Sequence, residues 1–471
     1  MDLRLLTPEI LIASLAFLVL FLGLMAPKNE RRSLGVFAIV GIVLAMLAVA
    51  FDFPYMREYF GNMYLIDGYS SFFKLIFLAS SLLVCMTVNS YDRPLAGKQG
   101  EFYVLVLFAT LGMMITVSAG DLVTLYVGLE LMTISFYVLT ANLAGEDARS
   151  SEAGLKYLIL GALSSAILLY GLSLIYGCTG TTIIKDIATF SDPSPAFWLG
   201  IVFILAGFCF KISAFPFHMW APDIYEGAPT PVTAFLAAGS KAAGFAVFVR
   251  LFLTAFPQYA QHWVWLIAVI AAITMVFGNL VAIPQQNIKR MLAYSSIAQA
   301  GYILVGLVAA DQLGIKGILF YSAAYVFANT GAFAVAIAFS RYTESDDISD
   351  YAGLAQRSPF LAATMLICLL SLAGLPPFAG YTGKFYLFMA VINQGYTWLA
   401  IVGMVMSMIS VYYYLSVAKV MYTGDVTDYR PIKLEGTVKT ALYICLLGTI
   451  IIGCYPEPLS MLASIASRLI L

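Results

Sequence analysis

The chain of 471 residues is organised as apolar runs of about 20 residues, the length of helix that crosses a hydrocarbon core of roughly 30 Å. Hydrophobic residues make up 61% of the chain and charged residues only 11%, against about 45–50% and 25% in soluble domains. In lipid the backbone groups of a spanning segment must bond within that segment, which selects helices. The sequence therefore predicts an all-α polytopic membrane protein.

Hydropathy predicts about fourteen transmembrane helices. Their predicted limits are 8–26, 34–51, 69–89, 101–118, 121–143, 152–176, 197–226, 230–253, 263–283, 290–309, 315–340, 359–391, 396–422 and 437–454. The seventh and the twelfth are too long for one straight helix, and each contains prolines that break it. Pro216 lies in the first break, and Pro376 and Pro377 lie in the second. We expect these prolines to act as hinges or as points of water access.

The two breaks lie five helices apart, which predicts a five-helix unit used twice. An odd number of helices per unit places the two copies in opposite orientation, as in transporters built from inverted repeats. The alternative is that the two breaks are unrelated. The predicted division is an N-terminal three-helix segment, a first repeat, a second inverted repeat, and a C-terminal helix with its tail, at residues 1–100, 101–253, 263–422 and 423–471.

Lysine and arginine are concentrated in alternate short loops, and these loops are expected to face the cytoplasm. This set contains Lys28, Arg31, Arg32, Arg93, Lys98, Arg149, Lys289, Arg290, Arg341, Arg357, Arg430, Lys433 and Lys439. The loops of the other face contain Arg4, Arg57, Lys185, Lys316 and Arg468. Both termini are therefore expected on the side opposite the cytoplasm.

Composition argues against several other functions. A formal net charge of −1 offers no basic patch for nucleic acid. The six cysteines are scattered and there are only two histidines, so neither a haem, an iron–sulfur cluster nor a zinc site is predicted. No GxGxxG follows a strand, so no nucleotide site is predicted.

Five ionisable residues lie within predicted helices, and they are Glu130, Lys156, Lys211, Lys241 and Lys384. A lysine at the bilayer centre costs at least about 2.5–3.5 kcal/mol on insertion scales, so such residues indicate a pathway for protons or cations. A buried lysine exchanges a proton readily because burial disfavours its charged form. A Glu–Lys pair whose separation changes would act as a switch.

Polar side chains on the tenth and eleventh helices are candidates for a hydrogen-bonded water file between the lysines. They are Tyr294, Ser295, Ser296, Gln299, Tyr302, Tyr321, Tyr325 and Asn329. His218, directly after the first break, is a candidate for either a pathway or a structural role.

Each candidate also has a purely structural interpretation. Glu130 with Lys211 would form a static ion pair, Lys156 would extend to the interface, and the tyrosines and serines would join helices. Three further cations are expected to anchor the membrane interface: Lys74, Arg250 and Lys419.

Five ordered motifs carry a resemblance to a known family. They are GLELMTISFYVL around Glu130, SSEAGLKYLILGALSSAILLYG around Lys156, FKISAFPFHMWAPDIYEGAPTPVTAFLAAGSKAAGF, NIKRMLAYSSIAQAGYILVGL and SLAGLPPFAGYTGKFYLF. Over essentially its whole length the chain resembles the antiporter-like membrane subunits of respiratory complex I, NADH-quinone oxidoreductase.

The resemblance implies two inverted five-helix repeats with helices 7 and 12 broken, the first repeat taking up protons and the second releasing them. It implies that Glu130 pairs with Lys211, that Lys156 lies near them, that Lys241 is the central carrier and that Lys384 governs the outer half-channel. NADH, flavin, iron–sulfur clusters and quinone are implied for the host complex, with no cofactor on this chain. The implied partners are lipids and the other membrane-arm subunits, including the sibling antiporter-like subunits, and the implied location is the bacterial cytoplasmic membrane with periplasmic termini.

Three branches of the family, M, L and N, differ in sequence. Branch M carries a glutamate at the position of Lys384, and branch L continues into a long lateral helix after its last span. The chain has neither feature, so it resembles branch N. Subunits of multisubunit cation/proton antiporters and of membrane-bound hydrogenase-type complexes share the core motifs, and they remain the alternative. A membrane subunit that carries no protons is a third interpretation.

Overall fold

The computed structural model describes residues 3–25, 27, 33–53, 56–91, 95, 97–143, 147–425, 430 and 432–468. Five positions used in the predictions lie outside these residues: Ala26, the predicted end of the first helix, and four loop cations, Lys28, Arg31, Arg32 and Arg93.

The described part of the chain is built almost entirely of α-helices. In chain order they are α1 Thr7–Met25, α2 Leu34–Asp52, α3 Gly68–Thr87, α4 Gln99–Val117, α5 Leu122–Thr140, α6 Ala148–Thr179, α7 Ile184–Ile187, α8 Pro195–Lys211, α9 Trp220–Gly227, α10 Thr230–Phe235, α11 Lys241–Ala255, α12 Ala260–Ala282, α13 Ile288–Ala309, α14 Gln312–Thr343, α15 Leu354–Arg357, α16 Pro359–Ala373, α17 Ala379–Asn393, α18 Thr397–Thr423, α19 Gly436–Cys454 and α20 Glu457–Ser467. A π-helix, Leu236–Ser240, joins α10 to α11. A small hairpin of β1 Arg57–Tyr59 and β2 Tyr64–Ile66, paired antiparallel with Glu58 opposite Leu65, was not predicted.

Twelve helical stretches of the described chain are long and apolar enough to cross a membrane. Two shorter apolar helices, α8 and α16, are the first halves of the predicted broken helices. The prediction of an all-α polytopic membrane protein is confirmed, whereas the number of fourteen transmembrane helices stays a prediction.

Polar residues in the loops set where several helices begin. Asp67 caps α3 in a reciprocal capping box with Ser70. Asp121 accepts hydrogen bonds from the first backbone N–H groups of α5, Asn287 from those of α13 and Asp311 from that of Gly314 in α14. These side chains satisfy N–H groups that have no partner within the helix, which fixes the ends of the spanning segments.

The two predicted breaks are present. The first separates α8 from α9 and contains Ser213 with φ of 59°, and the second separates α16 from α17 and contains Gly374 with φ of 83°. A left-handed residue reverses the local direction of the backbone and ends each first half-helix. The breaks place the ends of four half-helices inside the bundle.

The most polar helices occupy the centre of the molecule. Every residue from Thr230 to Ala255 except Thr254 is buried, and most residues of α13 and α14 are buried as well. In α1, α2, α18 and α19 fewer than half of the residues in the most apolar stretch are buried, and these helices expose large apolar side chains. A lipid-facing shell therefore surrounds a core in which polar groups are shielded from the bilayer.

Packing of the helices agrees with a repeated unit. Helix α4 packs along α5, and α12 packs along α13, and these pairs open the two predicted repeats. The tail helix α20 packs on α14 and α3 and leaves Met461 and Leu462 exposed. The repeat boundaries at 101–253 and 263–422 stay a prediction.

Candidate functional site

The first polar group joins α5, α6 and α8. Glu130 and Thr133 lie three residues apart and so on one face of α5. Ser165 of α6 donates its hydroxyl proton to Glu130 Oε1 at 2.6 Å. Lys211 Nζ donates to Thr133 Oγ1 at 2.9 Å and to Ser165 Oγ at 3.4 Å. Glu130 and Lys211 are thus brought together, but a serine hydroxyl stands between them instead of the direct pair that was expected.

Lys211 is the last residue of α8 and is 5% exposed. The C-terminal end of a helix carries partial negative charge, which favours a cation at this point. The C-terminal end of α8 also lies against α11: a Cβ built on Gly244 would lie 3.7 Å from the Cβ of Lys211. Gly244 is one helical turn from Lys241, so Lys211 and Lys241 lie on adjoining helices.

The backbone of the first break is held by specific contacts. The N–H of Phe215 donates to Thr274 Oγ1 at 3.0 Å, and the indole of Trp220 donates to the Phe210 carbonyl at 2.9 Å. Pro216 follows Phe215. His218 is buried against the ring of Phe277, with centroids 4.4 Å apart, and its Nδ1 has no hydrogen-bond partner in the described structure.

Lys241 lies at the centre of the bundle and is 2% exposed. Its Nζ donates to Ser296 Oγ of α13 at 2.7 Å and lies 5.7 Å from the centre of the Tyr225 ring. Within the described residues Lys241 takes part in no ion pair, whereas the buried cations Lys74 and Arg250 each contact a carboxylate. The π-helix that ends at Ser240 directly precedes it, and such wide turns are frequent at functional sites.

A small cavity adjoins Lys241. It is lined in part by Ser296, Gln299, Ser322 and Tyr325, and the space open to the centre of a water-sized sphere is about 10 Å³. That is roughly the space one water molecule needs. The hydroxyls of Ser322 and Tyr325 and both amide atoms of Asn329 are buried without a partner among the described residues. Buried polar groups of this kind are usually satisfied by ordered water.

Lys384, 3% exposed, lies at the second break. Its Nζ donates to the carbonyls of Leu372 and Ala373 at 3.0 and 3.1 Å and to Ser407 Oγ at 2.9 Å. These carbonyls belong to the last turn of α16, so the ammonium of Lys384 is held by the C-terminal end of a helix. The ammonium also lies 4.2 Å from the centre of the Tyr302 ring.

Gln299 links the cavity at Lys241 to Lys384. Its Nε2 donates to the Leu372 carbonyl at 2.9 Å, the same oxygen that Lys384 contacts. Its Oε1 accepts from Tyr321, and its Nε2 also lies 3.3 Å from the hydroxyl of Tyr414, which is hydrogen-bonded to Ser295. Lys384 is therefore connected through one backbone carbonyl to Gln299, which lines the cavity that adjoins Lys241.

Two predicted residues lie elsewhere. Lys156 is 42% exposed and forms ion pairs with Glu152 at 2.7 Å and with Asp223 of α9 at 3.0 Å. It is nine residues from Ser165 on α6, about 14 Å along the helix, so it is not beside Lys211 as the resemblance implied. Tyr294 lies under Arg290, with 6.0 Å between guanidinium and ring centre, and the hydrogen bonds of the described network do not include it.

Sequence reasoning missed several members of this network. They are Thr133, Ser165, Tyr225, Ser407, Tyr414 and the Leu372 carbonyl. Thr133 follows Glu130 at helical spacing, and this signal was available. The others depend on which helix faces are opposed, and the sequence does not contain that information directly.

Comparison with known proteins gives a consistent result. The family model described as "NADH:quinone oxidoreductase/Mrp antiporter, TM" matches residues 119–410. NADH-quinone oxidoreductase subunit N of Heliobacterium modesticaldum is 54% identical over 470 residues, covering 99% of each chain.

Two solved structures have the same fold. A chain of respiratory complex I from Thermus thermophilus with bound aureothin is 30% identical, with a TM-score of 0.83 over 97% of this chain and 99% of that one. A chain of the Mrp complex from Dietzia sp. is 21% identical, with a TM-score of 0.89 over 99% of this chain and 97% of that one. At this identity the likeness supports the fold alone. The chain therefore belongs to the NADH:quinone oxidoreductase and Mrp antiporter membrane family, and within it to the subunit N branch of NADH-quinone oxidoreductase.

Proposed function

We propose that this chain is a proton-translocating membrane-arm subunit of NADH:quinone oxidoreductase, a translocase in which quinone reduction elsewhere drives proton transfer here. One observation carries the proposal. Lys211, Lys241 and Lys384 are buried, are held by hydroxyls and helix carbonyls in place of direct carboxylate partners, and are joined through α11 and Gln299. Lysines placed in this way can give up and regain a proton, because no adjacent anion locks the charge.

The proposed path begins on the cytoplasmic side, where Lys156 stands in a charged surface cluster. Lys211 receives the proton, and Glu130 influences its release through the hydroxyl of Ser165. Lys241 holds the proton near the midplane. Water in the adjoining cavity, with Ser296 and Gln299, passes it toward Lys384.

Lys384 would release the proton to the opposite side. Tyr302, Tyr325, Asn329 and Ser295 line or support the second half of this route, and His218 and Pro216 stand at the first break. Pro376 and Pro377 form the corresponding break beside Lys384. Each break would admit water to a half-channel.

The host complex would supply the redox chemistry. NADH, flavin, iron–sulfur clusters and quinone are assigned to its other subunits. In the described residues no group of three or more His, Cys, Asp or Glu side chains has an arrangement that could hold a metal ion. The chain would contact sibling antiporter-like subunits and lipids in the bacterial cytoplasmic membrane, with its termini on the periplasmic side.

Lys241→Ala tests the proposal. The variant should assemble into the complex but translocate protons poorly or not at all in membrane vesicles, measured with a pH-sensitive dye during NADH oxidation. Lys419→Ala, which removes an exposed lysine on α18, is the control and should leave translocation unchanged. Normal proton translocation by Lys241→Ala would exclude the proposed role.

Co-purification identifies the host complex. A tagged chain is expected to bring down the dehydrogenase and quinone-binding subunits of NADH:quinone oxidoreductase. The fold shared with the Mrp complex makes a cation/proton antiporter the second candidate. Recovery of antiporter subunits without dehydrogenase subunits would favour that candidate.

A further inference from the structure

Helix α13 begins with two cations, Lys289 and Arg290. Positive charge in the first turn of a helix is unfavourable, because the N-terminus already carries partial positive charge. The helix has its own cap, since Asn287 accepts from the N–H groups of both residues. The two cations therefore do not stabilise α13 itself, and their partners lie on another helix.

Lys289 contacts the end of α9. It is 4% exposed, and its Nζ donates to the backbone carbonyls of Glu226 and Ala228 at 2.6 and 2.8 Å. Asp346 lies 3.8 Å from the same nitrogen. The last carbonyls of a helix lack partners within it and carry partial negative charge, so a buried ammonium is well suited to hold them.

Arg290 holds the side chains of the same helix. Its Nη1 lies 2.9 Å from Asp223 Oδ1 and 2.9 Å from Glu226 Oε2. The other oxygen of Asp223 accepts from Lys156 of α6. These pairs are partly exposed, and ion pairs in contact with solvent contribute little to stability. Of the two cations, Lys289 is buried and therefore holds the end of α9 more firmly, and Arg290 adds to it.

Tyr225 connects this attachment to the proton carrier. It lies within α9 directly before Glu226, whose carbonyl Lys289 binds. The ring of Tyr225 is completely buried and faces the Lys241 ammonium at 5.7 Å. The carbonyl of Tyr225 accepts from Thr233 at 2.9 Å, which fixes the turn between α9 and α10. A shift of the end of α9 would move this ring relative to Lys241.

We propose that Lys289, assisted by Arg290, is a positioning residue that holds α9 so that the Tyr225 ring lies against Lys241. The inference rests on the proposed role of Lys241. The cations come from the second predicted repeat and α9 from the first, so the contact also couples the two repeats at the carrier. A ring held over one side of the ammonium leaves the Ser296 side for proton exchange.

The test is a double-substitution cycle in the whole complex. Lys289→Met, Tyr225→Leu and the double variant are compared for proton flux per assembled complex, with assembly measured by co-purified subunits. Lys289→Arg keeps donors for both carbonyls. Lys439→Met is the matched control: it also removes a lysine from the first turn of a spanning helix, and Lys439 lies over Tyr443 of its own helix.

We expect Lys289→Met and Tyr225→Leu each to lower proton flux about fivefold or more, in the range of couplings between sites, and the double variant to lose no more than either single variant. Lys289→Arg should restore most of the flux, and Lys439→Met should be unchanged. Additive losses, or a Lys289→Met flux equal to that of Lys439→Met, would overturn the inference.

If Lys289→Met does not assemble, Arg290→Gln takes its place in the same cycle, with a smaller loss and the same non-additivity expected. The two proposals fail separately. Normal flux in Lys241→Ala removes the proposed function, whereas lost flux in Lys241→Ala together with additive Lys289 and Tyr225 effects removes only the positioning role.

Discussion

At the scale of single residues, Ser165 decides how Glu130 acts on Lys211. Its one hydroxyl proton goes to the carboxylate, at 2.6 Å, so its oxygen is left to accept from the ammonium, at 3.4 Å. Glu130 also lines a lateral groove of about 800 Å³ between α4, α5 and α6. Glu130 therefore contacts an open groove on one side and the Ser165 hydroxyl on the other, and the static ion pair stays the alternative.

Substitution of Ser165 by alanine should slow proton translocation by about tenfold or more, because a hydrogen bond to a charged group contributes about 1.5–3 kcal/mol. Ser164→Ala is the matched control. Ser164 is the neighbouring buried serine of α6, and its hydroxyl has no partner in the described structure. Proton flux per assembled complex is the measurement, and equal fluxes in the two variants would contradict the role of Ser165.

At the scale of elements, the second break depends on a close approach at Gly380. A Cβ added there would lie 1.8 Å from the carbonyl oxygen of Ser371. The N–H of Gly380 also donates to the Ser371 hydroxyl at 3.1 Å, which holds the two segments together. Only a residue without a side chain lets the start of α17 pack on the end of α16. This contact keeps the ends of the two half-helices together beside Lys384.

Gly380→Ala should therefore destabilise the subunit by about 1–3 kcal/mol, the usual cost of overpacking, or more. Gly177→Ala in α6 is the control, since a Cβ at Gly177 would meet nothing within 4 Å. The melting temperature of the purified complex and the amount assembled in membranes measure the effect. If Gly380→Ala and Gly177→Ala had the same melting temperature, the backbone at the break would accommodate the added methyl group without loss of stability.

The elements were largely predictable and the contacts between them were not. Apolar length predicted helices such as α5, expected at 121–143 and observed at Leu122–Thr140, and prolines predicted both breaks. Burial of Lys211, Lys241 and Lys384 followed from their positions within apolar runs. The serine between Glu130 and Lys211, and the pairing of Lys156 with Asp223, depend on helix rotation and on which helices are neighbours. One apolar sequence is compatible with many such arrangements.

At the scale of the whole molecule, one buried ion pair joins two of the N-terminal helices and another attaches them to the rest. Lys74 of α3 lies 2.6 Å from Glu9 of α1, and Arg250 of α11 lies 2.8 Å from Asp67. Lys74 and Arg250 were expected to anchor the membrane interface, and that prediction was wrong: both are buried. A run of apolar neighbours does not reveal that an acid from a distant helix lies opposite.

Asp67→Asn should destabilise the protein by about 3–5 kcal/mol, because it leaves the Arg250 charge buried and unpaired. Asparagine is as good a helix cap as aspartate, so the start of α3 is retained. Adding Arg250→Met should restore most of the stability. Thermal unfolding in detergent measures both effects, with Glu435→Gln at the more exposed Arg341–Glu435 pair as control. A double variant as unstable as Asp67→Asn would show that the charge is not the cause.

The burial of the central helices has a consequence for biogenesis. The stretch Thr230–Ala255, α13 and α14 are surrounded by protein, and their mean hydropathy is lower than that of the lipid-facing α1 and α2. Segments with lysine or several polar residues enter a bilayer less favourably by themselves. The strongly apolar N-terminal helices are synthesised first and offer a protein surface against which the later helices can be received. The order of helices along the chain is therefore compatible with sequential membrane insertion. The polar central helices can pack against helices that are already inserted, so that they are not exposed to lipid.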